Sequence, residues 1–128
     1  LALIWASLPL IFTIANIMLA NNLRDIKTDV KNQRYTLVYY IGSSTATMLF
    51  QCLMYTCYVT IIVGLFFGIY TWPILIVFLT FPKISHNLKE HEKTLPQAKS
   101  FAYAIKNMVL FNSSYALGLL FCIFWQTM

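Results

Sequence analysis

Charge is missing from three long stretches of this chain, and that segregation constrains the fold more than any other feature. Residues 1–23, 35–82 and 107–128 contain no Asp, Glu, Lys or Arg. A helix crossing the hydrocarbon core of a bilayer needs about 20 apolar residues. Inside lipid every backbone polar group must be paired within the chain, which for segments of this length means helix. The first and last stretches hold one span each. The middle one, 48 residues long, holds two, with a reversal at Gly68-Ile69-Tyr70-Thr71-Trp72-Pro73. Pro73 suits the first turn of a new helix, where its missing N–H costs nothing. The expected fold is an all-α membrane protein with four transmembrane helices, at roughly 1–22, 43–68, 72–88 and 95–127. The third is short, and Pro82 kinks or ends it. A composition of 59% hydrophobic and 10% charged residues excludes an ordinary soluble domain.

Four spans place two loops on one side of the membrane, and the termini with the middle turn on the other. All thirteen charged residues fall in or beside the first pair of loops. Arg24, Lys27, Lys31 and Arg34 stand against Asp25 and Asp29, a local balance of +2. Lys83, Lys89, Lys93 and Lys99 stand against Glu90 and Glu92, again +2. Lys106 can snorkel back to the same side. The positive-inside rule makes that side cytoplasmic. Trp5, Trp72 and Trp125 all land on the other side, as an interfacial aromatic belt. The net charge of +5 thus reflects topology and is no evidence for nucleic acid.

Smaller signals mark helix ends and packing. Gly42-Ser43-Ser44 reads as a break followed by an N-cap. Gly64-x-x-x-Gly68 permits a close helix contact. Thr94-Leu95-Pro96-Gln97 reads as a capping box with Pro in the first turn. Cys52, Cys57 and Cys122 lie within spans, show no metal-like spacing and read as packing residues. His86 and His91 are expected to be solvated in a polar loop. Tyr39, Tyr40, Tyr55 and Tyr58 are expected in the core, with carbocation stabilisation by their ring faces as the rarer alternative. The chain opens in an apolar run with no charged n-region, so it is expected to be a piece of a longer membrane protein.

The chemistry sits at residues 21–37. Two Asp at the bilayer centre would cost about 2.5–3.5 kcal/mol each, so Asp25 and Asp29 belong at the interface or in a wet cavity. If the first helix runs on through them, Met18, Asn22, Asp25 and Asp29 share one face, with Arg24, Lys27 and Lys31 on the opposite one. Asn22, Asp25 and Asp29 offer the sparse hard-oxygen set that Mg²⁺ takes together with substrate phosphates. Arg24, Lys27, Lys31 and Arg34 are natural diphosphate partners. Spacing alone fits equally well a solvated pair of carboxylates bonded to Lys27 and Lys31.

The residues themselves go further. Ala20-Asn21-Asn22-Leu23-Arg24-Asp25-Ile26-x-x-Asp29, followed by Arg34-x-Thr36-Leu37 and Ile41-Gly42, resembles the second Asp-rich motif of the UbiA superfamily of intramembrane prenyltransferases. The form followed by Thr-Leu is most similar to the 1,4-dihydroxy-2-naphthoate polyprenyltransferase branch, which makes menaquinone. The resemblance implies that residues 1–128 are the C-terminal part of a roughly nine-helix bundle whose two Asp-rich motifs face each other near the cytoplasmic side. It implies Mg²⁺ as cofactor, with Asp25, Asp29 and Asn22 as ligands and Arg24, Lys27, Lys31 and Arg34 on the diphosphate. The substrates would be a polyprenyl diphosphate and an aromatic acceptor, in a bacterial cell membrane. The matching N-terminal half, with the first motif, would lie upstream, so this segment alone is expected to be inactive. Two positions depart from the family pattern. Val30 stands where Arg is usual, and Gln33 where Gly is usual. The rival reading is a multi-pass transporter or assembly subunit whose acidic motif is a cytoplasmic gate or latch.

Overall fold

The computed structural model describes residues 1–127. Among them there is helix and turn but no strand. α1 spans Ala2–Lys31, α2 Leu37–Ile41, α3 Ser43–Phe66, α4 Phe81–Thr94 and α5 Ala98–Thr127, and a 3-10 helix covers Trp72–Thr80. α1, α3 and α5 are each long and apolar enough to cross a membrane. The fourth apolar stretch differs in kind. Its apolar half is the 3-10 helix, and the α-helix that continues it is polar over most of its length.

Pro82 marks the join between the two helix types. With no N–H it cannot donate to the Phe78 carbonyl, which an α-helix requires. The Phe78 carbonyl instead receives the Phe81 N–H, an i to i−3 bond that continues the tighter winding of Trp72–Thr80 up to the join. The expected third helix therefore begins where the sequence places it, at Trp72, but runs to Thr94 rather than 88.

α1 passes beyond the expected end near 22 because nothing after Asn22 stops it. Leu, Arg and Lys favour helix, and no Gly or Pro intervenes before Gln33. The stop is Gln33, at φ 58° in the left-handed region, after which the Arg34 N–H bonds the Asp29 carbonyl at 2.8 Å. This is the position where the family pattern has Gly, the residue that takes such a φ without steric cost.

Two expected caps are built otherwise. α3 starts at Ser43 behind Gly42, and neither serine side chain caps it. The Thr94 hydroxyl bonds back to the Glu90 carbonyl at 2.7 Å, so it finishes α4 instead of capping α5. The Gly64/Gly68 pair is likewise no helix seam. A Cβ on Gly64 would lie 2.4 Å from Tyr70 Cε2 and 2.9 Å from Trp5 Nε1, so its bare backbone admits two aromatic side chains. Gly68 sits in the turn, at φ 69°. The close helix approach lies at Gly118, where a Cβ would stand 3.4 Å from the Ile74 Cα.

α1 packs on α3 and α5, and α5 also packs on α4 and the 3-10 helix. Phe50, Met54, Ile61, Ile74, Phe111 and Tyr115 form the centre. One end gathers the tryptophans: Trp72 and Trp125 stack edge to face at 5.0 Å, and Trp5 Nε1 donates to the Thr60 carbonyl at 3.0 Å. The other end gathers charge. There Arg24 of α1 meets Phe101 of α5, and Gln51 of α3 meets Glu92 of α4 at 2.9 Å.

Candidate functional site

The last two turns of α1 carry the acidic motif beyond the uncharged run. Because the helix is unbroken to Lys31, Asn22, Asp25 and Asp29 fall on one face, as the continuous-helix geometry requires. Met18 of the same face is 64% exposed. Asn22 and Asp25 are half-buried, and Asp29 is 6% exposed. The loop after Gln33 and α2 fold back along α1, which covers Asp29 and leaves the earlier positions of the face open.

Each carboxylate has a basic partner. Arg24 donates through Nε to Asp25 Oδ1 at 2.7 Å and through Nη2 to Asp25 Oδ2. Adjacent residues on a helix point about 100° apart and do not normally meet, so Arg24 has folded round the helix to reach Asp25. It is held there by Asn21 Oδ1, which accepts from Nη2 at 2.7 Å, and by the Phe101 ring, 4.6 Å from the guanidinium carbon. The expectation that Arg24 lies opposite the acids is thereby corrected. Its hydrogen bond holds the Asp25 carboxyl below the ordinary carboxylate range. Asp29 Oδ1 stands 3.5 Å from Arg34 Nη1, a looser contact made by a side chain that is itself 72% exposed. Lys27 and Lys31 are exposed, and no ion pair between them and either Asp forms among the described residues.

Asn21, Phe101 and Thr36 are the residues of this site that the sequence leaves unassigned. Asn21 stands in the motif beside the residue given the role. Phe101 lies 77 residues away in the chain and nothing local marks it. Thr36 precedes α2, and its hydroxyl is buried with no partner among the described residues.

His86 is exposed as expected, but His91 is fully buried. It stacks on Phe50 with ring centroids 4.1 Å apart, and neither ring nitrogen has a partner among the described residues. Burial pushes its pKa down to about 4, which keeps it neutral at physiological pH. Tyr58 is a core residue, whereas Tyr39, Tyr40 and Tyr55 are exposed. Tyr35, Tyr39 and Tyr40 form an aromatic run on the loop and α2, with centroids 4.8 and 5.3 Å apart. Cys57 and Cys122 are buried packing residues, but Cys52 is exposed.

Long apolar helices with a charged, acid-bearing mouth at one end and tryptophans at the other define an integral membrane protein whose polar chemistry is confined to one boundary. Residues 1–114 match the model of the UbiA prenyltransferase family, and the chain belongs to that family. Its members are prenyltransferases, enzymes that transfer a prenyl group from a prenyl diphosphate, in general to an aromatic acceptor. The match gives no support to the gate or latch reading. No curated protein and no solved structure matches the chain.

Proposed function

We propose that this chain contributes the second acidic half-site of an Mg²⁺-dependent enzyme that transfers a polyprenyl group to 1,4-dihydroxy-2-naphthoate in menaquinone biosynthesis. The observation that carries the reading is the unbroken run of α1 through Lys31, which sets Asn22, Asp25 and Asp29 on one face at the charged end. The acceptor is inferred from the Asn-Asn-x-Arg-Asp-x-x-x-Asp form of the motif followed by Thr-Leu. Residues 72–88 are read as a fourth crossing, the charged end as cytoplasmic by the positive-inside rule, and the membrane as a bacterial cell membrane.

The donor set fits magnesium. No group of three or more His, Cys, Asp or Glu gathers among the described residues, so the chain builds no all-protein cage. Mg²⁺ needs only one or two carboxylates beside substrate phosphates and water. Asp25 and Asp29 supply those, and Asn22 offers a carbonyl oxygen. When bound, the ion neutralises charge growing on the departing diphosphate. The first Asp-rich motif has no counterpart here, where the acids are Asp25, Asp29, Glu90 and Glu92 alone. It is assigned to further polypeptide of the enzyme, without which this segment is inactive.

The basic residues then have defined work. Arg24 transfers its forked N–H donors from Asp25 to phosphate oxygens, which suit the same bidentate geometry. That exchange frees both Asp25 oxygens. Lys27 and Lys31 approach the phosphates as mobile point charges, and Arg34 closes over Asp29. As the allylic C–O bond breaks, its electron pair leaves with the diphosphate. An electron-rich ring carbon of the acceptor forms the new C–C bond and gives up its proton.

The test is a transfer assay on the full-length enzyme with polyprenyl diphosphate and a panel of phenolic and naphthoic acceptors, with Mg²⁺ and with chelator. Product from the naphthoate alone, and only with Mg²⁺, supports the reading. Undiminished turnover in chelator contradicts the metal role, and preference for a phenolic acid contradicts the assigned acceptor.

A further inference from the structure

We propose that the outward faces of α4 and the first half of α5 form a binding surface for the phosphate headgroup of an anionic phospholipid. α4 is two-faced. Ile84, Asn87, Leu88 and His91 are buried, whereas Lys83, His86, Lys89 and Lys93 are exposed. At about 100° per residue the exposed set makes one broad stripe. α5 widens it with exposed Lys99 and Lys106, and Lys106 Nζ lies 5.3 Å from the centre of the Tyr103 ring. Within α4 Lys93 donates to Glu90 at 2.8 Å, and the positive charge of Lys99 on α5 also favours the Glu90 carboxylate.

The patch has charge to spare. Lys93 pairs with Glu90 at 2.8 Å, and Glu92 accepts from Gln51. Among the described residues, Lys83, Lys89, Lys99 and Lys106 have no carboxylate within ion-pair distance. Leu79 and Phe81, which precede Lys83, and Val109, which follows Lys106, lie toward the tryptophan end of their helices, and all three are exposed. Lys83 precedes Leu88, the proposed boundary of the crossing, by five residues, about 7.5 Å of helix. A lysine at that depth is costly unless its ammonium reaches upward to the headgroups. Cations at the boundary with greasy side chains beneath match a molecule with an anionic head over acyl chains. Basic clusters at this boundary attract anionic lipid. An acidic protein segment would satisfy the lysines but not this order of charge over grease.

The inference uses the proposed crossing at 72–88 and no part of the assigned reaction. Its readout is lipid binding, so failure of the enzymatic assignment leaves it standing. Full-length protein in phosphatidylcholine vesicles is probed with labelled phosphatidylglycerol and labelled phosphatidylcholine, for the wild type and for the triple variants Lys83→Gln/Lys89→Gln/Lys106→Gln and Lys83→Arg/Lys89→Arg/Lys106→Arg. The expected result is a preference of tenfold or more for phosphatidylglycerol, at up to about fivefold per lysine. The arginine triple retains it, the glutamine triple loses most of it, and raised salt weakens it. Lys106→Gln alone, the least disturbing change, lowers the preference up to about fivefold. Equal binding of both lipids by the wild type would overturn the proposal, as would an unchanged preference in the glutamine triple. Protection of these lysines from an amine-acylating reagent in pure phosphatidylcholine vesicles would overturn it too, by revealing a protein segment over the patch.

Discussion

The two ends of the bundle satisfy their polar groups to different degrees. At the tryptophan end most of them are consumed by the fold, with the buried Thr71 hydroxyl left without a partner among the described residues. The Tyr115 hydroxyl donates to the Ala6 carbonyl and meets the Tyr70 hydroxyl, both at 2.7 Å. Trp5 reaches the Thr60 carbonyl, and Gly64 is bare so that the Tyr70 ring can lie against it. At the charged end polar groups are held but not used up. His91 has two unpartnered nitrogens and Thr36 an unpartnered hydroxyl among the described residues, Asp29 has one loose partner, and Asp25 is paired with an adjacent residue that helix geometry does not point toward it. A buried polar group without a partner costs stability, so the tryptophan end is built for stability. The charged end accepts that cost where its groups have another task.

The comparison is broken most directly at the acids. Asp25→Asn or Asp29→Asn in the full-length enzyme should lower kcat by about 10²–10³-fold, the range for removal of one group that stabilises developing charge, with little change in thermal stability. A loss of only a few-fold would return both residues to a structural role. Gly64→Leu tests the other end. A side chain there overlaps Tyr70 and Trp5, so it should cost about 1–3 kcal/mol of overpacking, read as a lower unfolding midpoint in detergent. The KM for prenyl diphosphate should not move at temperatures where the protein stays folded, and a large rise in KM would show that the two ends are not separable.

Gln33→Gly probes backbone strain beside the site. Its left-handed φ costs a non-glycine residue roughly 1–2 kcal/mol, partly returned by the greater freedom of Gly in the unfolded chain. Stability should rise by up to about 1 kcal/mol with activity unchanged. A fall would mean that the Gln side chain makes a contact worth more than the strain. The effect at His91 shows only on acidification. Its folded pKa, about 4, lies below the ordinary value, so the unfolded chain binds the extra proton. Its contribution to stability is complete above about pH 6.5 and is lost as pH falls toward 4. His91→Phe should flatten the acid side of the stability profile in that window, and an unaltered profile would assign the acid sensitivity to other groups.

Much of this was legible because lipid leaves few options. The uncharged stretches, the tryptophans at one end and the charges at the other follow from the solvent on each side of every segment. The Asp25/Asp29 register follows from the 3.6-residue period once α1 continues. What escaped depends on partners remote in sequence or on backbone chemistry competing with pattern. The 3-10 winding of Trp72–Thr80 and its join to α4 at Pro82 leave no mark in the hydrophobic pattern. α2 is five residues long, too short for any periodic signal. Arg24 was assigned its face from helix phase, but Asn21 and Phe101 pull it round to Asp25. His91 looks solvated in a sequence rich in Lys and Glu, yet α4 places it on the buried stripe with Ile84, Asn87 and Leu88.

The most direct test of the central claim is equilibrium binding of a polyprenyl diphosphate to the full-length enzyme as Mg²⁺ is titrated, comparing wild type with Asp29→Asn. The account predicts that Mg²⁺ tightens binding to the wild type by tenfold or more, about 1.4 kcal/mol or greater, and that Asp29→Asn abolishes the dependence while the protein stays folded. Equal affinity with and without the ion, or an undiminished Mg²⁺ effect in Asp29→Asn, would contradict it.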